Sequence, residues 1–365
     1  MRDARAAVLL DAGTDPQLID VQVRDPVDDE VLVRIDAVGI CHTDISVAAR
    51  WPARRTPMVF GHEGAGTVAA VGSRADIKVG QPVVLSFASC GHCSNCASGR
   101  PGYCERSTDL NMRGDGGDET SAFSRDGSPI AGGFFGQSSL ATYAIARQQN
   151  TVALAQAIDP AMAAPLGCSV QTGVGTVLNT LAPQRDDVVA IFGAGAVGLS
   201  AVMGARLAGV RNIVAVDPVP QRRALATELG ATATVDPTAA DTSAALLDLT
   251  NGGATAAVDT TAIPEVLGTA LATLRARGTL AVVGLGAPTA ELPVGLIMGR
   301  GLTVRGVVEG DSDRHTFIPA LVDLWSRGDL PLDRLITTYP FDDFGHAWSA
   351  AKAGHVVKPV LVTGR

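Results

Sequence analysis

Three observations predict an α/β protein of two domains, a β-barrel-like unit and a doubly wound parallel sheet. The chain has 365 residues, more than one hydrophobic core usually organises. Its pattern changes near residue 186, from short strands separated by turn residues to apolar strands alternating with helical stretches. A glycine fingerprint stands at one of the strand-to-helix junctions of that second region.

In the first region, residues 30–36 partly alternate between apolar and polar, and Gly64 to Val71 is small and β-branched. Turn signals at Gly72-Ser73 and Gly80-Gln81-Pro82 separate such strands. Residues 105–137 form a polar, glycine-rich excursion ending in Gly132-Gly133-Phe134-Phe135-Gly136. Because it lies inside a β region, a long ordered loop is expected there rather than a linker. The second region offers six strands: Val188–Phe192, Asn212–Asp217, Thr232–Val235, Ala256–Asp259, Thr279–Gly284 and Leu302–Val308. Six would complete a doubly wound sheet. The Ala/Thr-rich stretch from Ala231 to Ala245 fits a strand, a loop and a helix start. After Glu309 a helix is expected over Phe317–Arg327 and a strand within His355–Val362, in a tail that rejoins the first domain.

The composition, 46% hydrophobic with a net charge of −8, suits a globular enzyme. It argues against nucleic acid or an anionic membrane surface as the main partner. The apolar stretch Ala6–Leu10 near the N-terminus is too brief for a signal-peptide core or a membrane span. A cytoplasmic protein is expected, in which six cysteines serve as thiols or metal ligands rather than in disulfides.

Gly193-Ala194-Gly195-Ala196-Val197-Gly198 follows the strand Val188–Phe192 and opens an apolar helix running to about Ala208. Gly193 permits the tight turn, Gly195 lets the backbone approach a pyrophosphate, and Gly198 lets the helix pack closely on the strand. The helix start at Ala196 and Val197 presents N–H groups and a positive dipole end to phosphate. Asp217 ends the next strand near the distance, about 20 residues, at which an acid binds a ribose 2′-hydroxyl. A carboxylate there repels a 2′-phosphate and favours NAD over NADP, although Arg222 and Arg223 keep the second open. Asp217 capping the turn at Pro218 is the plainer alternative.

Cys90, Cys93, Cys96 and Cys104 stand in a C-x2-C-x2-C-x7-C loop bearing glycine and serine. Four thiolates leave no coordination position for water, so such a site holds a loop and does no chemistry. Disulfides and a DNA-binding zinc ribbon are the other readings; the second needs a basic surface that this neighbourhood lacks. His92, inside the loop, reads as a surface residue. Cys41, His62 and Cys168 are dispersed in short polar and glycine-bearing segments. Spacing alone does not connect them, and an isolated cysteine is commonly buried and inert.

The segments Gly39-Ile40-Cys41-His42-Thr43-Asp44, Gly61-His62-Glu63-Gly64-Ala65-Gly66 and Leu166-Gly167-Cys168-Ser169, with the glycine fingerprint and the four-cysteine loop in this order, resemble the zinc-dependent alcohol dehydrogenases of the medium-chain dehydrogenase/reductase superfamily. The similarity spans nearly the whole chain. Residues 85–93 and Phe134-Phe135-Gly136-Gln137-Ser138-Ser139 resemble the aryl- (benzyl-) alcohol and terpene-alcohol dehydrogenase branch. The resemblance implies a GroES-like β-barrel catalytic domain over 1–162 and 302–365 and a Rossmann cofactor domain over 163–301. It implies two zinc ions, one catalytic on Cys41, His62 and Cys168 and one structural on Cys90, Cys93, Cys96 and Cys104, with NAD as cofactor. One coordination position of the catalytic ion stays open for the substrate oxygen.

By the same resemblance Asp44 orients a zinc ligand, Glu63 is an acid that approaches the zinc during ligand exchange, and Thr43 takes the alcohol proton. His42 contacts the pyrophosphate, Thr172 lies near the nicotinamide, Arg222 beside the adenosine ribose and Lys358 on the pyrophosphate. Ser46 stands where many relatives have a proton-relaying histidine; serine does not titrate near neutrality, so either the relay ends differently, through the ribose and His42, or water substitutes. Trp51, Phe87, Phe134, Phe135, Leu285 and Met298 are candidates for an apolar pocket, and a primary aromatic or allylic alcohol is the expected substrate. A thiol-adduct formaldehyde dehydrogenase and a non-catalytic cofactor-binding relative are the competing readings. An unpaired sheet edge at Leu302–Val308 points to a homodimer or homotetramer.

Overall fold

The computed structural model describes residues 1–115, 120–239 and 241–364. Residues 116–119 of the expected loop, and Ala240 within the Ala/Thr-rich stretch, lie outside the described residues. The chain forms two compact units. One is Met1–Cys168 with Asp313–Gly328 and Leu335–Arg365; the other is Ser169–Ser312 with Asp329–Arg334. The sequence reading divides them at 162/163 and 301/302 instead. The first division moves because the helix Pro160–Ala163 and the turn Ala164–Gly167 pack on strands of the first unit. The second moves because Thr303–Gly306 is hydrogen-bonded into the parallel sheet beside Leu274–Val282.

The first unit is built around the strand Glu30–Gly39, which pairs antiparallel with Gly64–Val71, Tyr143–Arg147 and Lys358–Val362 in a seven-stranded sheet. Its successive side chains feed two cores. Val31, Val33 and Ile35 join Phe60, Leu85, Phe134 and Leu361, while Leu32 joins Val59, Phe123 and Ile145. A strand buried on both faces loses clean alternation, which accounts for the mixed pattern of residues 30–36. Irregularities in register between Leu32 and Val33 and between Ile35 and Ala37 bend the strand toward closure. A five-stranded sheet runs in the order Met58–Val59, Arg2–Leu9, Gln17–Val23, Phe123–Arg125, Ser128–Ile130. The last two form a hairpin that turns at Asp126 and Gly127, with φ of 51° and 78°, as a two-residue hairpin loop requires. The described residues of the glycine-rich excursion thus include this hairpin and the short helix Ser107–Met112. The tail returns to this unit through Lys358–Val362.

The second unit carries six parallel strands in the order Ala233–Val235, Asn212–Val216, Val188–Phe192, Ala254–Asp259, Leu274–Val282, Thr303–Gly306. The order reverses between Val188–Phe192 and Ala254–Asp259, so the crevice at the carboxyl ends of these two strands is where such sheets bind ligands. Leu274–Val282 starts earlier than expected because Leu274 already pairs with Ala254, ahead of a bulge. Val188, Ala190, Phe192, Val214, Val216 and Leu280 form the centre of its core. The edge strand Thr303–Gly306 is exposed along its whole length. Among the described residues, no helix is long and apolar enough to cross a membrane.

Candidate functional site

Cys41 caps the helix His42–Ala48, and three residues on Asp44 turns back toward it. The buried Asp44 carboxylate is a three-way acceptor. Oδ2 receives the Cys41 N–H at 2.9 Å, and Oδ1 receives the Gly61 N–H at 3.1 Å and His62 Nδ1–H at 2.8 Å. With Nδ1 committed to Asp44, the imidazole presents Nε2 on its other side, and that buried nitrogen has no hydrogen-bond partner among the described residues. Gly61 must be glycine: its φ is +99° and an added Cβ would lie 2.2 Å from the Leu140 backbone nitrogen. Phe135 stacks on the His62 ring at 4.5 Å and 25°, and Phe134 meets it edge-on at 5.7 Å.

The result is that the ligand atoms of Cys41, His62, Glu63 and Cys168 all lie within 4.8 Å of one another. A hydrogen bond from Cys168 and the positive charge of Lys358 and His62 hold the Cys41 thiol well below its ordinary pKa. Burial disfavours the charged His62 ring, but Asp44 and the Cys41 sulfur outweigh it and hold its pKa well above the ordinary value. Two sulfurs, one of them readily ionised, and an orphaned imidazole nitrogen are a fitting donor set for a soft divalent ion such as zinc. The fourth member, Glu63, is held by another partner. Lys358 is only 2% exposed, and its Nζ lies 2.8 Å from both Glu63 oxygens. Gly39 leaves room for that carboxylate, since a Cβ there would fall 2.1 Å from Glu63 Oε2.

The second cluster is local. The sulfurs of Cys90, Cys93, Cys96 and Cys104 lie within 4.8 Å of one another, and none of the six cysteines forms a disulfide. Backbone N–H groups point at them: Cys90 N–H donates to Cys104 Sγ at 3.2 Å and Cys93 N–H to Cys90 Sγ at 3.4 Å. Backbone N–H donors from Glu105 and Cys96 bring the Cys93 thiol down to about 6. His92 is exposed and donates from Nδ1 to the Cys90 carbonyl, outside the thiol set. Buried Arg314 braces this loop through Ser89 Oγ and the Gln149 carbonyl, with its guanidinium 4.3 Å from the Phe87 ring.

In the second unit the three fingerprint glycines play distinct parts. Gly193 has φ +90° and a Cβ there would lie 2.4 Å from Thr260 Oγ1, while a Cβ on Gly198 would lie 1.8 Å from the Gly193 carbonyl. A Cβ on Gly195 would meet nothing within 4 Å; this glycine caps the helix Ala196–Leu207 and leaves the space before the N–H groups of Ala196 and Val197 open, as a pyrophosphate cradle needs. Asp217 Oδ2 accepts the Ala194 N–H at 2.7 Å, bracing the turn, and Oδ1 accepts the Val219 N–H at 2.8 Å. The turn-capping role weighed from sequence is thus real. Arg223 is engaged with Asp236 and the Asp217 carbonyl, and Arg222 lies half-buried on the helix Pro220–Leu229.

His42 is exposed and Thr43 and Ser46 are half-buried on one short helix. Thr172, on the helix Ser169–Gly175, directs its hydroxyl at Glu309 Oε2, 3.3 Å away, and Gln171 Nε2 donates to the same oxygen at 2.9 Å. Of the six pocket candidates, Trp51, Phe134 and Phe135 belong to a run of rings that ends at His62. Phe87 lies under Arg314 instead, and Leu285 and Met298 are exposed, the latter by 77%. Sequence reasoning missed the Glu63–Lys358 pair, Glu309, and Gln137, whose amide grips the backbone beside His62; the stretch containing Gln137 stood out only by resemblance.

Comparisons with known proteins agree with this geometry. Residues 27–156 match the alcohol dehydrogenase GroES-like domain and residues 196–327 the zinc-binding dehydrogenase domain. The chain is 44% identical to geraniol dehydrogenase of Castellaniella defragrans, over 98% of this chain and 97% of that protein. Two crystal structures each align over 100% of both chains with a TM-score of 0.94. They are an alcohol dehydrogenase zinc-binding domain protein of Burkholderia ambifaria, 42% identical, and benzyl alcohol dehydrogenase of Acinetobacter calcoaceticus, 37% identical. With both donor sets, the glycine turn and these likenesses in place, the chain belongs to the zinc-dependent alcohol dehydrogenases of the medium-chain dehydrogenase/reductase superfamily.

Proposed function

We propose that this enzyme interconverts a primary aromatic or allylic alcohol and its aldehyde, with NAD as the hydride partner. One observation carries the substrate class: Trp51, Phe60, Phe134 and Phe135 form a continuous run of ring contacts at about van der Waals separation, and its last member stacks on the ligand His62. Of these rings Phe135 is the partly exposed one, and Trp51, Phe60 and Phe134 are buried behind it; a flat, unsaturated substrate gains from the Phe135 face what a short alkyl alcohol does not. The kinship with enzymes named for geraniol and benzyl alcohol supports the same class.

Zinc on Cys41, His62 and Cys168 supplies a Lewis acid that eases loss of the hydroxyl proton and polarises a carbonyl. The protein's own part is positional. Asp44 fixes the imidazole tautomer and ring direction. Thr43, two residues past Cys41 on the same helix, is the proton acceptor in this reading, with His42 and Ser46 on that helix as the onward route. Lys358 neutralises Glu63, so it has no charge to offer the carboxylates of a thiol adduct, which disfavours the formaldehyde-adduct reading. Asp217 supports NAD by repelling a 2′-phosphate, with Arg222 beside the ribose, Thr172 at the nicotinamide and exposed His42 toward the pyrophosphate; Lys358, expected at the pyrophosphate, is instead buried against Glu63.

In this reading the enzyme is a cytoplasmic homo-oligomer. Two thiol-based metal sites suit a reducing compartment, and the exposed edge Thr303–Gly306, with exposed Val294, Met298, Val304 and Val308 close by in sequence, suits pairing with a second copy. The test is turnover of benzyl alcohol, geraniol and ethanol with NAD and with NADP, on protein of measured zinc content. A kcat/KM for benzyl alcohol or geraniol well above that for ethanol, with NAD preferred, is expected; preference for ethanol rejects the substrate class, and preference for NADP rejects the role given to Asp217.

A further inference from the structure

We propose that Gln137 is a positioning residue for the catalytic metal centre, its buried amide tying the His62 backbone to Ser86, whose hydroxyl holds the peptide that leads into Cys168. Both N–H donors of the amide and its oxygen go to this task. Nε2 donates to the His62 carbonyl at 3.0 Å and to the Ser86 carbonyl at 3.2 Å, and Oε1 accepts the Gly64 N–H at 3.2 Å. Ser86 Oγ then donates to the Gly167 carbonyl at 2.7 Å. The approach is close enough that a Cβ on Gly167 would lie 2.1 Å from the Leu85 carbonyl. Two ligands remote in sequence are thereby joined by a short chain of buried hydrogen bonds.

The segment that delivers Gln137 is held in an uncommon conformation. Phe135 and Ser138 both have φ of 50° without being glycine, a backbone state that persists only where surroundings enforce it and that gathers at functional sites. Here the surroundings are explicit: Ser138 Oγ accepts the Phe134 N–H at 2.9 Å and donates to the Val59 carbonyl at 2.6 Å. The same left-handed turn brings the Phe135 ring onto the imidazole. His62 is consequently held from three directions: Asp44 at Nδ1, Phe135 on the ring face and Gln137 on the main chain. A buried amide is costly unless bonded, and Gln137 bonds the His62 and Gly64 peptides directly and reaches the Gly167 carbonyl through Ser86.

This inference rests on the reading of Cys41, His62 and Cys168 as a zinc site. The test follows release of zinc from the purified holoenzyme to a chromogenic chelator, and the visible spectrum of the cobalt(II)-substituted enzyme, for wild type, Gln137→Leu and Ser86→Ala. Asn111→Leu serves as a control, because Asn111 is a comparable buried amide that clamps Ala88 instead. In Gln137→Leu, one of the two metal equivalents should leave at least about tenfold faster, the usual scale for a group that orients a metal ligand, while the other keeps its wild-type rate. The cobalt bands of the two-sulfur, one-nitrogen centre should shift. Ser86→Ala should affect the same equivalent in the same direction, and the double variant should fall short of the product of the two. Wild-type release and spectra in both variants overturn the proposal, as does parallel faster loss of both equivalents, or loss of the same equivalent in Asn111→Leu. Should Gln137→Leu fail to fold, Ser86→Ala is judged by the same criteria. A wild-type enzyme that binds a single equivalent overturns the metal-site reading itself, and the proposal with it.

Discussion

Replacing Asp44 by asparagine isolates the contribution of one buried negative charge without changing shape. Three N–H groups converge on this carboxylate, from Cys41, Gly61 and His62. An asparagine has one acceptor oxygen. With that oxygen toward Gly61 and His62, its NH2 faces the Cys41 N–H, donor against donor. Turned the other way, the NH2 faces Gly61 and the imidazole, which must then move its proton to Nε2, the atom needed for the metal. The first orientation costs less, and leaving one buried donor unpaired is worth about 1–3 kcal/mol. Loss of a ligand-orienting carboxylate typically weakens metal binding about 10–100-fold, which at about 1.36 kcal/mol per decade is about 1.4–2.7 kcal/mol. The two estimates overlap. Asp44→Asn should therefore release one zinc equivalent about 10–100-fold faster to a chelator and lose kcat/KM for benzyl alcohol by a comparable factor, with the second equivalent untouched. Unchanged zinc release together with unchanged kcat/KM would refute the assignment of Asp44 as the orienting group.

Four other outcomes follow from particular contacts. Gly198→Ala should weaken NAD binding by at least about tenfold and disturb the turn, because the new methyl collides with the Gly193 carbonyl. Gly195→Ala should leave thermal stability intact and weaken NAD alone, since its methyl only enters open space; calorimetric titration beside a melting curve separates the two, and equal stability losses would contradict the distinct roles. Cys104→Ser should remove one zinc equivalent and lower the melting midpoint while the remaining equivalent stays active, as a closed tetrathiolate requires; loss of both equivalents would contradict separate sites. Burial raises the pKa of Glu30, but the bidentate Arg24 and the Val27 N–H outweigh it and leave the carboxyl below its ordinary value. Its stabilisation is present above the unfolded pKa of about 4.3 and is lost as pH falls through the lower folded value. Glu30→Gln should thus cost of order 1 kcal/mol at neutral pH and nothing in strong acid, as read by urea denaturation across pH.

What was legible in the sequence was whatever is local. The glycine fingerprint sits between a strand and a helix that period and turn residues mark on their own, and the four-cysteine loop closes within a single short segment. The edge at Thr303–Gly306 was readable as well. Cys41, His62 and Cys168 were joined only through resemblance, because long-range strand pairing brings them together and spacing contains none of it. The Glu63–Lys358 pair escaped for the same reason: each residue alone reads as a surface charge, and only the pairing of Lys358–Val362 with Glu30–Gly39 brings them into one interior. Gln137 gave no signal beyond its neighbours, since a glutamine in a polar stretch carries no mark of the backbone groups it will meet. The domain divisions shifted because short helices near 160 belong by packing, and a final strand near 303 by hydrogen bonding, to units that composition does not separate.

The contrast between one cluster gathered from a single loop and another drawn from distant segments also sets the order in which the metals can be taken up. A cation can pull the four thiols from Cys90 to Cys104 together while the rest of the chain is unstructured, since the chain entropy lost in closing so short a loop is small. The cage of Cys41, His62 and Cys168 does not exist until Glu30–Gly39, Gly64–Val71 and Pro82–Leu85 have paired. Filling the local cage does not wait on the fold, whereas filling the distributed one does, so zinc shortage met after folding would leave molecules correctly shaped yet idle.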